Sequence, residues 1–109
     1  MPNTQHFCTL DETSDLNDEL RGIRHRLHQH PELAYQEFQT SDLVAEALTS
    51  WGYEVTRGLG GTGMVASLKS GAGSRAVAVR ADMDALPIIE ATGLPYSSVP
   101  PGKIGRAHV

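Results

Sequence analysis

The amino-acid sequence predicts an α/β domain of the open-sheet kind, present only as its opening elements. Three observations lead there. Two helical stretches come first, three short strand-like runs follow, and a pair of carboxylates stands at the end of the most apolar run.

Residues 1 to about 14 are polar and aperiodic and read as a flexible arm. From Ser14 onward, Leu16, Leu20, Ile23 and Leu27 recur at helical spacing and make one apolar stripe, which predicts a helix over about 15–29. Ser14 or Asp15 is suited to cap its start, and Pro31, which has no N–H to donate, stops the pattern after His30. A second helix is expected from about Glu37 to Trp51, with Leu43, Val44, Ala47, Leu48 and Trp51 on one face. Gly52 is placed to close it in a left-handed conformation.

Tyr53–Arg57 alternates like a strand, Gly58–Gly63 makes a glycine-rich turn, and Met64–Lys69 is strand-like again. Gly71 and Gly73 mark another turn. Ala76-Val77-Ala78-Val79 is apolar without alternation, the pattern of a strand buried on both faces, and it leads directly into Arg80-Ala81-Asp82-Met83-Asp84-Ala85-Leu86-Pro87. Two helices and then three strands are expected, with no internal repeat and no low-complexity linker.

Bulk properties narrow the function classes. The chain has 109 residues, enough for one small domain. Hydrophobic residues at 39% and charged residues at 20% fit globular rather than disordered sequence. A net charge of −4 provides no basic field to collect nucleic acid or anionic lipid, so neither partner is expected. The single cysteine, Cys8, excludes an internal disulfide framework and fits a reducing compartment, the cytoplasm. No run approaches the length of a membrane span, and the first 15 residues lack a basic-then-apolar leader pattern.

Three places offer chemistry. Gly58-Leu59-Gly60-Gly61-Thr62-Gly63 fits the spacing of a dinucleotide-binding turn, but that use needs a helix to begin at the glycines and hold the pyrophosphate. Met64–Leu68 followed by Gly71 leaves room for a strand and not for a crossover helix, so a hairpin turn is the reading preferred. His25, His28 and His30 invite a zinc reading, yet they crowd the last turns of a helix, where histidine complements the dipole and the unpaired carbonyls. With no cysteine or fourth ligand nearby, position explains them better than ligation. Asp82 and Asp84 emerge at the carboxyl end of a buried strand, where open α/β sheets collect ligands. Two carboxylates there can hold a metal or orient a metal-bound histidine, and this reading is preferred to a merely solvated strand end.

Several segments together resemble one family. Arg24-His25-Arg26-Leu27-His28-Gln29-His30-Pro31-Glu32-Leu33 is similar to the opening helix motif of the aminoacylase, hippurate hydrolase and auxin-conjugate (IAA-amino acid) amidohydrolases. Thr40-Ser41 with Leu43-Val44-Ala45, Trp51–Val55 and Gly60–Gly63 follow in the family's order and spacing. Val79–Ile88 is the most specific piece, continued by Thr92–Tyr96 and Pro101-Gly102-Lys103. The resemblance implies a metallopeptidase-like catalytic α/β domain with a smaller inserted domain that serves as lid or dimer surface. It implies cleavage of the amide bond of small N-acyl amino acids by water activated on one or two divalent ions, zinc, manganese or similar, with a glutamate as general base. A homodimer or homo-oligomer is a further implication. Asp84 matches the aspartate that orients the metal site, Asp82 stands where some relatives carry a metal-binding histidine, and the three histidines match the motif without being ligands.

After Lys103 the pattern departs. The family continues with Met-His-Ala-Cys-Gly-His-Asp, whereas this chain reads Ile104-Gly105-Arg106-Ala107-His108-Val109. Those residues translate a common sequencing adapter, ATC GGA AGA GCA CAC GTC and then TGA, whose preceding AG completes a lysine codon. Three parts are therefore expected: an arm over 1–14, the N-terminal part of a catalytic domain over 15–103, and a non-native tail over 104–109. On this reading the chain is an N-terminal fragment that lacks its metal ligands, binds no metal tightly and turns over nothing by itself. The rival reading is a small non-catalytic α/β module that holds a divalent ion or ligand at Asp82 and Asp84.

Overall fold

The computed structural model describes residues 10–105. Its elements are α1 (Leu10–Gln29), α2 (Phe38–Ser50), β1 (Glu54–Leu59) and β2 (Gly63–Ser67), the strands paired as a two-stranded antiparallel sheet. Cys8, most of the expected arm and residues 106–109 of the expected tail lie outside the described residues.

α1 begins at Leu10, more than a turn before the expected start. Ser14 and Asp15 therefore lie inside the helix rather than capping it, and the Thr13 and Ser14 hydroxyls donate back to the Leu10 and Asp11 carbonyls at 3.0 and 2.7 Å. Acidic side chains at positions 11 and 15 favour the positive end of the helix, and Leu10, 89% exposed, adds no buried residue to the stripe that would have marked the extension. The stop is as expected: His30 N–H donates to the Arg26 carbonyl at 3.2 Å, and the helix ends ahead of Pro31. Only the C-terminal half of the apolar stripe is covered. Ile23 and Leu27 are half-buried, whereas Leu16 and Leu20 are 46% and 47% exposed.

α2 ends in a complete Schellman motif. Tyr53 N–H donates to the Leu48 carbonyl at 3.0 Å and Gly52 N–H to the Thr49 carbonyl at 3.1 Å, with Gly52 at φ +90°. Its buried residues are small, Thr40, Ser41 and Ala45, which lets the hairpin approach closely. The expected face of Leu43, Val44, Ala47 and Leu48 is half-buried and Trp51 is 40% exposed, because two strands are too narrow to cover it. Arg57 on β1 ties the hairpin to α2, reaching Asp42 Oδ1 at 2.5 Å and Ser41 Oγ at 3.1 Å.

The glycine run is a hairpin turn. Glu54 pairs with Ser67 and Arg57 with Met64, and the register then slips at Gly58, whose φ of +88° favours glycine. At Gly63 a Cβ would meet the Leu59 carbonyl oxygen at 2.5 Å, so the turn closes only with glycine there. β2 occupies the place a phosphate-binding helix would need, which disposes of the dinucleotide reading.

The third expected strand is not formed. Residues 76–79 have no ladder partner among the described residues, and Val77 and Val79 are 93% and 90% exposed. Apolar composition alone does not make a strand; neighbouring backbone must take up its N–H and C=O groups. Beyond it the chain folds back on itself. Leu86 and Ile104 exchange backbone hydrogen bonds at 2.9 and 3.0 Å, and Ile104 is buried, so this residue at the start of the expected tail is built into the fold. Among the described residues no helix is long and apolar enough to cross a membrane.

Candidate functional site

Three short segments meet at one cleft: the loop between α1 and α2, the hairpin turn, and the stretch leading from residue 80 to 84. Glu32 organises the first. Its carboxylate accepts hydrogen bonds from the Thr40 and Gln39 N–H groups at 2.6 and 3.2 Å, satisfying two donors that the start of α2 leaves open. Glu37, the residue preceding α2, makes no such cap. The Glu32 carbonyl accepts from Ala85 N–H at 2.7 Å, which anchors the acidic stretch beside the loop. Glu37 turns the other way, and its buried carboxylate accepts the hydroxyl of buried Thr62, fastening the glycine turn to the same loop.

The result is a cleft bordered by Tyr35, Glu37, Gly60, Thr62, Asp82 and Asp84. Both expected site residues are there. Asp84 is half-buried, and exposed Asp82 is met by Arg80 Nε at 3.3 Å. The glycine turn, excluded as a cofactor loop, still contributes a wall. Two neighbouring carboxylates on a cleft give negative potential suited to a cation or to orienting a cationic group. They do not amount to a metal centre. Among the described residues no group of three or more His, Cys, Asp or Glu side chains is placed to hold a metal ion, fewer than the three protein ligands that catalytic zinc sites use.

The three histidines lie elsewhere, and His25 and His28 serve packing. His28 is 1% exposed, and its Nε2 is bonded to Glu90 Oε1, while Glu90 Oε2 accepts the Ser98 N–H at 2.5 Å. The hydrogen bond from His28 is the main reason the Glu90 carboxyl is held below its usual range; burial works against it, and the Ser98 N–H adds a smaller lowering. His25 stacks on Tyr96 with ring centroids 3.7 Å apart and planes 7° from parallel, and Tyr96 meets His28 edge-on. His30 is exposed. The end of α1 is thus clasped to the segment from Ala85 to Gly105, helped by the Val99 N–H donating to the Gln29 carbonyl at 2.8 Å.

Sequence reasoning missed Glu32, Glu37, Thr62, Glu90 and Tyr96. Thr62 and Glu32 sat inside segments already singled out, and a carboxylate before a helix is a recognisable capping signal. Glu90 carries no such signal, since its partner stands 62 positions away.

No family model matches the chain. Curated relatives do. Over 89 residues the chain is 47% identical to hippurate hydrolase of Campylobacter jejuni, covering 82% of this chain and 23% of that protein. It is 39% identical over 100 residues to an IAA-amino acid hydrolase of Arabidopsis thaliana, covering 92% of this chain and 23% of that one. Among solved structures, a dinuclear metal-binding peptidase of the M20 family from Bacillus subtilis superposes with a TM-score of 0.77 at 35% identity, over 84% of this chain and 26% of that one. The chain spans about a quarter of the length of these relatives.

Proposed function

We propose that this chain, which belongs to the M20-type amidohydrolase family of hippurate hydrolase and IAA-amino acid hydrolase, provides one wall of an active site that hydrolyses the amide bond of small N-acyl amino acids. The observation that carries this reading is the joint one of sequence and place: the segment most specific to the family puts Asp82 and Asp84 on the cleft.

A divalent metal would supply a water of lowered pKa to such a reaction, zinc and manganese being suited to it. The residues described do not form that site. What these residues contribute is placement. Asp84 is the orienting carboxylate, Asp82 adds negative charge at the same edge, and Glu37 with Thr62 fixes the opposite wall. Assembly as a homodimer or homo-oligomer and residence in the cytoplasm are further parts of the proposal.

Residues 104–109 are proposed to be adapter-derived, with the reading frame continuing differently after Lys103. Sequencing the source locus through codon 103 decides this: a Met-His-Ala-Cys-Gly-His-Asp-like continuation supports it, and the same codons followed by a stop refute it. The activity test uses the protein encoded by the uninterrupted frame. Release of glycine from N-benzoylglycine should be abolished by a chelator and restored by a divalent ion, and Asp84→Asn should lower kcat/KM by about 10–100-fold, the usual effect of losing a residue that orients a metal site. The 109-residue chain should give no metal-dependent turnover. Hydrolysis unaffected by chelator, or by Asp84→Asn, would sink the reading.

A further inference from the structure

Resting on the amide-hydrolysis reading, we propose that Glu32 is a positioning residue for Asp84, fixing the start of α2 and the peptide that follows Asp84 to one another.

The place of Asp84 needs such a fixture. The strand expected to carry it is not formed, and residues 76–79 have no ladder partner among the described residues. The backbone beside Asp84 is held instead at Ala85, a buried residue whose N–H donates to the Glu32 carbonyl at 2.7 Å. Ala85 is therefore where the acidic stretch is tied to the loop between α1 and α2.

The other end of Glu32 governs where that carbonyl stands. Its carboxylate accepts from the Thr40 and Gln39 N–H groups at 2.6 and 3.2 Å. A charged acceptor on backbone donors makes the stronger kind of hydrogen bond. Those donors belong to a helix that Arg57 ties to the hairpin through Asp42 and Ser41. Before Glu32 stands Pro31, buried and with its φ fixed by the ring. Held by the helix start on one side and the proline on the other, the Glu32 peptide presents its carbonyl to Ala85 in a set direction.

A cap ordinarily stands at the residue next to its helix. One brought from Glu32, across the loop, couples the helix to the acidic stretch as well. Removing the carboxylate frees the Glu32 peptide to turn, and Asp84 moves with Ala85. Small misplacements of an orienting group slow a reaction without a matching loss of binding.

The test uses the protein encoded by the uninterrupted frame, with N-benzoylglycine as the probe. Glu32→Ala should lower kcat about tenfold with KM near the wild-type value, and Glu32→Gln, whose amide oxygen still accepts, should restore most of the loss. Added to Asp84→Asn, Glu32→Ala should cost little more, because both act through one group. Hydrogen exchange at the Ala85 amide, resolved by fragmentation mass spectrometry, should quicken in Glu32→Ala and stay near the wild-type rate in Glu32→Gln. Glu32→Asp, which keeps the charge and loses the reach, serves if the alanine variant does not fold. Losses that multiply in the double variant, or an Ala85 amide that does not respond, overturn the proposal. A wild type that hydrolyses no N-acyl amino acid, with the Ala85 amide responding as expected, sinks the amide-hydrolysis reading and leaves the tie between Glu32 and the acidic stretch standing.

Discussion

At the scale of single residues, carboxylates do most of the positioning, each through a different chemistry. Glu32 satisfies backbone donors, Glu37 receives a hydroxyl, and Glu90 accepts both an imidazole and a backbone N–H. Glu90 gives the fold a dependence on pH. Its pKa lies below the ordinary value of 4.5, so its stabilising effect is fully present above that value and is lost as pH falls through the lowered one. Thermal melts at stepped pH should show the wild type losing stability in acid below that point, and Glu90→Gln should flatten the slope there. Parallel slopes for the two proteins would mean the clasp does not govern acid stability.

At the scale of elements, the start of α2 is held from a distance. The side chain of Glu37, next to the helix, does not cap it, and Glu32 reaches across the connecting loop to do so. Replacing a side-chain cap by alanine typically costs about 1 kcal/mol. Urea unfolding of Glu32→Ala should give a loss of about that size, with Glu32→Gln losing less because its amide oxygen still accepts. An equal loss in both variants would show that charge at the positive helix end, rather than the hydrogen bonds, is what matters. The hairpin is the other element with a defined cause. The slip at Gly58 and the closeness of Gly63 to the Leu59 carbonyl explain why glycines recur there without a nucleotide to bind.

At the scale of the whole molecule, the described residues are thinly packed. Ala45, Ala85 and Ile104 are the only buried hydrophobic residues among them. The radius of gyration is 16.9 Å, against about 13 Å for a compact chain of similar length. Val77 and Val79 stand in water at the place where the sequence pattern calls for a sheet interior. Hydrogen exchange should separate the parts. Backbone amides of residues 76–79 should exchange at nearly unprotected rates in the 109-residue chain, while those within α2 are protected. In the protein encoded by the uninterrupted frame, protection at 76–79 should rise. Equal protection in the two proteins would contradict the reading of these residues as an unpaired sheet strand.

What was legible in the sequence follows from what is local. Both helices, the proline stop after His30, the left-handed close at Gly52 and the hairpin nature of Gly58–Gly63 depend on residues within one or two turns of each other, and the backbone obeys those rules wherever the segment sits. The likeness to hippurate hydrolase was legible too, because motifs in order along the chain carry it, whereas the buried strand expected to present Asp82 and Asp84 at its end is not formed. Only the tertiary structure decided the rest. Whether Ala76–Val79 is a strand depends on a neighbour to share its hydrogen bonds, and none stands beside it among the described residues. Whether His28 is a ligand or a clasp depended on Glu90 coming to it across 62 positions, and whether Glu37 caps a helix or braces a turn depended on where Thr62 arrived. A one-dimensional pattern records which groups need partners. Which groups meet is settled by how the chain packs, since burial makes an unpaired polar group costly and so selects the arrangement that satisfies it.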